Sequence, residues 1–154
     1  MFDDIIAVNA VAYSVPEAWI RAVIATESSW RPSIISADGG YGLMQLMPDT
    51  ARALGYSGDV SGLLDPETNI GLGTKLLGQL RARYGDDVQA VYSAYNSGGG
   101  SNYLTNPTVA QHVANFVRNL ESVVTANPLV TSTGTVGAII VVLLLWYWTK
   151  KKGK

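Results

Sequence analysis

The sequence predicts a mostly helical globular domain followed by one C-terminal transmembrane helix, and three observations carry that expectation. Apolar residues recur at the three-and-four spacing of amphipathic helices, in segments opened by Pro, Asp or Asn and closed by Gly. Only residues 33–42 suit a small β-hairpin or an irregular loop. Residues 129–148 carry no charge and run into Trp146, Tyr147 and Trp148, with a lysine cluster immediately after.

Composition sets the outer bounds. A chain of 154 residues has room for one domain of ordinary size and an appendage. With 47% hydrophobic and 15% charged residues it can bury a sizeable core and lies far from the disordered class. The absence of cysteine excludes a disulfide framework and thiolate metal sites, and His112, the single histidine, argues against a His-based metal site or a Ser-His triad. No metal or cofactor is expected. The net charge of −1 is unevenly spread, since Lys150, Lys151, Lys152 and Lys154 hold four of the eleven basic residues. Residues 1–149 carry 7 basic and 12 acidic side chains, a net of −5 that would repel a phosphate backbone, so nucleic acid is not an expected partner.

Taken in order, residues 3–14 suit a first helix, and Pro16 opens a second at a position where its missing N–H costs nothing. Trp19, Ile20, Val23 and Ile24 give that helix an apolar stripe, and Pro32 ends it. Asp65-Pro66-Glu67 is an N-cap with proline at N1, opening a helix that runs to Tyr84 with Gly85 as its stop. Gly71, Gly73 and Gly78 within it suggest a close-packed face. Asp86 is expected to cap a further helix bearing Val88, Val91 and Tyr95. Asn106-Pro107 starts the last helix of the domain, with Val109, Val113, Phe116, Val117, Leu120 and Val124 on one face.

The remaining chain divides into a linker (127–135), the core of a transmembrane segment (136–149, within a span of about 129–148) and a basic tail (150–154). As a helix, twenty residues span roughly 30 Å, the thickness of a bilayer's hydrocarbon core. The aromatic triplet suits the interface and the lysines the headgroups, which makes a lipid bilayer an expected partner. The acidic start Met1-Phe2-Asp3-Asp4 does not suit the n-region of a signal peptide.

Glu27 lies seven residues after Ile20, four after Val23 and three after Ile24, on the apolar stripe of the second helix. Burial disfavours the charged form of a carboxyl group, which is the environment a general acid needs at neutral pH. The same position also suits a structural glutamate hydrogen-bonded to a loop, and spacing does not separate the two readings.

Three separated motifs bear on that choice: AVIATESSW at 22–30, GLMQLMP at 42–48 and AYNSG at 94–98. With DPETNI at 65–70, they resemble the soluble lytic transglycosylase family in order and spacing, over roughly residues 5–120. The resemblance implies an α+β lysozyme-like fold for residues 1–126 and cleavage of the MurNAc–GlcNAc β-1,4 bond of peptidoglycan glycan strands. By the same resemblance Glu27 is the catalytic acid/base, and Ser36, Gln45, Met47, Tyr95 and Asn96 face the sugar. Chemically, a thioether or aromatic side chain offers a sugar ring an apolar surface, amides and hydroxyls read its substituents, and the Tyr95 hydroxyl can reach and orient a carboxyl group. Leu43 reads as core packing, and Met44 as either core or groove.

Two positions on the last helix depart from the family, which usually carries a glutamate there and a tyrosine four residues later; here they are His112 and Phe116. His112 is a candidate polar contact in place of the glutamate. A second carboxylate is also missing. Goose-type lysozymes, on the same broad fold, carry aspartates in the loop before GLMQ and two residues after its Gln, where this chain has Ser36 and Met47. A lone acid suits the transglycosylase route, in which the substrate's own C6 hydroxyl closes a 1,6-anhydro ring, over two-carboxylate hydrolysis. Asp38, in the same loop, is the residue that would revive a hydrolase. The other alternative is a catalytically weak, peptidoglycan-binding structural membrane protein. Lysines beyond the span favour a cytoplasmic C-terminus, so some 128 residues would have to cross the membrane ahead of the anchor. That points to the virion membrane of a membrane-containing bacteriophage, with virion proteins as partners. The competing setting is a bacterial inner membrane with the domain facing the periplasm beside a secretion apparatus.

Overall fold

The computed structural model describes residues 2–127, which form six α-helices and two short 3₁₀ turns. The helices are α1 (Asp3–Ala12), α2 (Glu17–Glu27), α3 (Pro48–Ala53), α4 (Pro66–Tyr84), α5 (Val88–Ser97) and α6 (Pro107–Ala126), with the 3₁₀ turns at Val60–Leu64 and Asn102–Leu104. The expected linker, transmembrane segment and basic tail lie outside the described residues apart from Asn127. Among the described residues no helix is long and apolar enough to cross a membrane.

Helix α2 is the spine. Trp19, Ile20, Ala22, Val23 and Ile24 are all buried, and α2 packs along α6, whose Val109, Val113, Phe116, Leu120 and Val124 form the facing stripe. Helix α5 closes the core against α4 and α6, contributing Val91 and Tyr92. The glycine face of α4 is a close-packed face as expected. A Cβ at Gly78 would sit 2.8 Å from the Tyr13 carbonyl oxygen, and one at Gly73 would collide with the Met44 side chain.

Caps explain where helices begin. Asp65 Oδ2 accepts from the Thr68 N–H at 2.9 Å, and Asn106 Oδ1 accepts from the Thr108 and Val109 N–H groups at 3.0 and 3.3 Å. Gly85 ends α4 with φ +68. Four boundaries differ from expectation. The first helix stops at Ala12, because Ser14 turns left-handed at φ +53. Pro16 is the cap residue of α2, with extended ψ 134, and Glu17 is the first helical residue. Helix α2 ends at Glu27, well before Pro32, because Ser29 and Trp30 take left-handed φ of +51 and +65. Asp87 caps α5, accepting from the Gln89 and Ala90 N–H groups, while Asp86 instead accepts from Arg81 Nε at 2.7 Å. The six-residue α3 and the 3₁₀ turns were not expected; each is too short to show a helical period.

The segment between α2 and α3 holds the only β-pairing among the described residues: two isolated antiparallel bridges, Ile35 with Tyr41 and Tyr41 with Leu46. Of the two forms the sequence allowed there, hairpin or irregular loop, the chain takes the irregular loop, pinned by these two bridges. Asn69, wholly buried on α4, anchors it. Its Oδ1 accepts from the Met44 N–H, and its Nδ2 donates to the Tyr41 and Leu63 carbonyls, all at 2.7–2.8 Å.

Candidate active site

Glu27 is the last residue of α2, carried to the edge of the core by the buried Val23 and Ile24 and then freed by the left-handed turn behind it. The residue is only partly covered, yet its carboxyl group is desolvated enough that burial pushes its pKa above the usual value, against the hydrogen bond from Tyr92 and the charge of His112. Tyr92 Oη donates to Glu27 Oε1 at 2.6 Å. The Tyr92 ring is wholly buried and stacks on Phe116 at 4.3 Å between centroids, 6° from parallel. Burial, followed by the nearby Glu27 carboxyl, raises the Tyr92 phenol far beyond its ordinary range, so it stays a donor wherever the protein is folded.

The expected role of the Tyr95 hydroxyl is corrected here. It donates to the Met44 carbonyl oxygen at 2.7 Å and so ties α5 to the GLMQ loop, leaving the carboxyl group to Tyr92 one turn earlier. Burial, followed by the nearby Glu27 carboxyl, raises the Tyr95 phenol pKa, and its ring is 6.2 Å from that of Tyr92. Asn96 follows, partly exposed.

The loop residues divide by what their polar groups already hold. Gln45 sits at a left-handed φ of +49, and its Nε2 donates to Gly42 and Ile34 carbonyls at 2.8 and 3.3 Å, so the amide hydrogens hold the loop and Oε1 is the atom left for a ligand. Ser36 Oγ accepts from the Gly40 N–H at 2.9 Å, and its own hydrogen remains free to donate. Met47 is 42% exposed, an apolar surface beside this loop, whereas Met44 and Leu43 are fully buried and belong to the core. His112 is exposed on α6 and close enough for its charge to act on Glu27. Asp38 is exposed on the loop. The centre of the site is thus one desolvated carboxyl group at a helix end, held by the Tyr92 hydroxyl, while Met47, Gln45 and Ser36 gather around Gly39 and Gly40 of the loop.

Sequence reasoning missed Tyr92 and Asn69. Tyr92 shares the inward face of α5 with Tyr95, a visible signal that does not say which of the two meets Glu27. Asn69 stood inside the DPETNI motif without a role.

Comparison with known proteins adds an independent line. The family described as Transglycosylase SLT domain matches residues 4–112. The chain is 39% identical over 93 residues to the soluble lytic murein transglycosylase of Escherichia coli strain K12, covering 56% of this chain and 14% of that protein. It is 38% identical over 107 residues to membrane-bound lytic murein transglycosylase C of Yersinia pestis strain Pestoides F, covering 60% of this chain and 30% of the other. The chain therefore spans less than a third of the length of these curated relatives. Among solved structures, an inactive glutamate-to-glutamine mutant of the lytic transglycosylase Slt from Pseudomonas aeruginosa superposes with a TM-score of 0.73 at 22% identity, over 80% of this chain and 24% of that one. The 70 kDa soluble lytic transglycosylase of Escherichia coli follows at TM-score 0.58 and 28% identity, over 78% and 21%.

Proposed function

The chain belongs to the transglycosylase SLT domain family, and on that premise we propose that it is a peptidoglycan lytic transglycosylase with Glu27 as its one catalytic acid/base. The observation that carries the proposal is the Glu27 carboxyl group itself, desolvated at the end of α2 and tied to Tyr92 at 2.6 Å. Glu27 protonates the glycosidic oxygen between MurNAc and GlcNAc, and the substrate's N-acetyl group stabilises the oxocarbenium-like charge as the bond breaks. The carboxylate then takes the proton of the MurNAc C6 hydroxyl, whose oxygen bonds to C1 and closes a 1,6-anhydro ring. The proton given is recovered and no water is consumed.

The surrounding residues have supporting roles in this reading. Met47 offers the sugar an apolar face, Gln45 Oε1 and the Ser36 hydroxyl read its polar groups, and Asn96 and His112 line the rim. Tyr95 contributes its ring rather than its hydroxyl, which Met44 holds. What supports transglycosylation over goose-type hydrolysis is that Ser36 and Met47 stand where that enzyme class carries aspartates. The intact acid, hydrogen-bonded in place, also speaks against a purely structural wall-binding protein.

The apolar segment 129–148 with its aromatic and lysine end supports a bilayer anchor for this domain, with the virion membrane of a bacteriophage as the setting and genome entry through a locally opened wall as its use. Incubating the purified protein with sacculi tests the enzyme proposal: soluble muropeptides are expected, and sacculi that persist unchanged would refute it.

A further inference from the structure

We propose that Tyr92 is the residue that positions the acid/base in this chain, because its hydroxyl donates to Glu27 Oε1 at 2.6 Å while its ring is clamped face to face on Phe116. The proposal rests on the reading of Glu27 as the acid/base. Phe116, the α6 residue on which the Tyr92 ring stacks, has nothing to donate. The hydroxyl comes instead from α5, from the tyrosine one turn before Tyr95.

Three features make this a fixed arrangement. Tyr92 is 0% exposed and Phe116 2%, so neither ring has space to turn. Their planes lie 6° apart with centroids at 4.3 Å, which leaves the phenol one direction, toward the end of α2. The neighbouring tyrosine is committed elsewhere, since Tyr95 Oη donates to the Met44 carbonyl. The groups that face Glu27 are therefore Tyr92 and Tyr95 from α5 and His112 from α6, and Tyr92 is the one that bonds it.

The consequence is a division of labour between the two carboxyl oxygens. Oε1 accepts from a hydroxyl that does not ionise, in both protonation states of the acid, so Oε2 is the oxygen that gives the proton to the glycosidic bond and takes the next one from the C6 hydroxyl. A donated hydrogen bond favours the carboxylate over the acid. Tyr92 thereby limits how far burial raises the pKa, and sets the pH at which the acid form is lost.

The chain has four glutamates, Glu17, Glu27, Glu67 and Glu121, so the Glu27 side-chain carboxyl can be followed by ¹³C NMR in the full-length protein and assigned by its loss in Glu27→Gln. In Tyr92→Phe the Glu27 midpoint is expected to rise by about one pH unit. The alkaline limb of the kcat/KM profile for glycan cleavage moves up with it, and kcat falls roughly tenfold. Phe116→Leu keeps the hydroxyl but loses its support, and moves the midpoint the same way by less; it carries the test if Tyr92→Phe does not fold. A midpoint that stays put, with only melting temperature and kcat lowered, would overturn the proposal and leave Tyr92 a packing residue. The titration needs no turnover, so a wild-type protein that fails to cut sacculi counts against the acid/base reading, whereas an active enzyme with an unmoved midpoint counts against Tyr92.

Discussion

Asn69 and Met44, 25 positions apart in sequence, are joined by a 2.7 Å hydrogen bond from the Met44 backbone N–H to Asn69 Oδ1, and through it α4 holds the GLMQ loop. Met44 passes the constraint on, since its carbonyl oxygen accepts from Tyr95 on α5. Asn69→Ala strips partners from the Met44 N–H and the Tyr41 and Leu63 carbonyls at once. A loss of about 3 kcal/mol is expected, since each buried group left unpaired costs about 1–3 kcal/mol, which lowers the melting temperature by roughly 10 °C. A calorimetric scan checks this; a variant melting with the wild type would mean the loop holds itself.

Glu27→Gln separates stability from activity. Burial raises the carboxyl pKa in the folded chain, so the native state holds that proton more tightly than the unfolded one. The associated stability is complete below the ordinary glutamate value and is lost as pH rises from there through the folded pKa. Glutamine never ionises. The variant is expected to melt above the wild type at neutral pH, with the gap closing below about pH 4, while cleavage falls at least a thousandfold. Melting curves at several pH values, beside sacculus digestion, read both effects; a gap independent of pH would place the stabilisation elsewhere.

The two effects also show what was legible in the sequence. Glu27 could be placed on an apolar stripe because Ile20, Val23 and Ile24 lie at helical spacing from it, a property of one helix alone. The starts of α4 and α6 were equally local, written in Asp65-Pro66 and Asn106-Pro107. Tyr92 and Tyr95 stand three residues apart on one face of α5, so which hydroxyl meets Glu27 depends on how α5 is rotated against α2 and α6, a tertiary quantity that no local pattern records. The same holds for Gln45, whose motif position advertised a sugar contact while its amide hydrogens were needed by the Ile34 and Gly42 carbonyls. The end of α2 was misplaced because nothing in Ser29-Trp30 announces two successive left-handed residues.

A fragment of residues 1–127 is expected to fold cooperatively and cut sacculi without the tail. Its last helix is capped at its start by Asn106, and its apolar face, from Val109 to Val124, is already buried against the domain. Expression of the fragment with circular dichroism and a digestion assay checks this. An unfolded product would mean that residues beyond 127 complete the core.

The setting has its own test. If the chain works from a virion membrane, its domain stays shielded when protease is added to spheroplasts expressing it. Digestion there would show that the domain reaches the wall side unaided, and would remove the case for a virion while leaving the chemistry untouched.

The chemistry is tested most directly by the ends of the cut glycans. On the proposed route, with Glu27 as the acid/base and the C6 hydroxyl as nucleophile, the cut leaves 1,6-anhydro-MurNAc, lighter by one water than a reducing MurNAc end. Mass spectrometry of muropeptides released from purified sacculi is expected to show anhydro ends as the main product. Mainly reducing ends would mean that water had attacked, would make Asp38 the suspected second carboxylate, and would contradict the single-acid account.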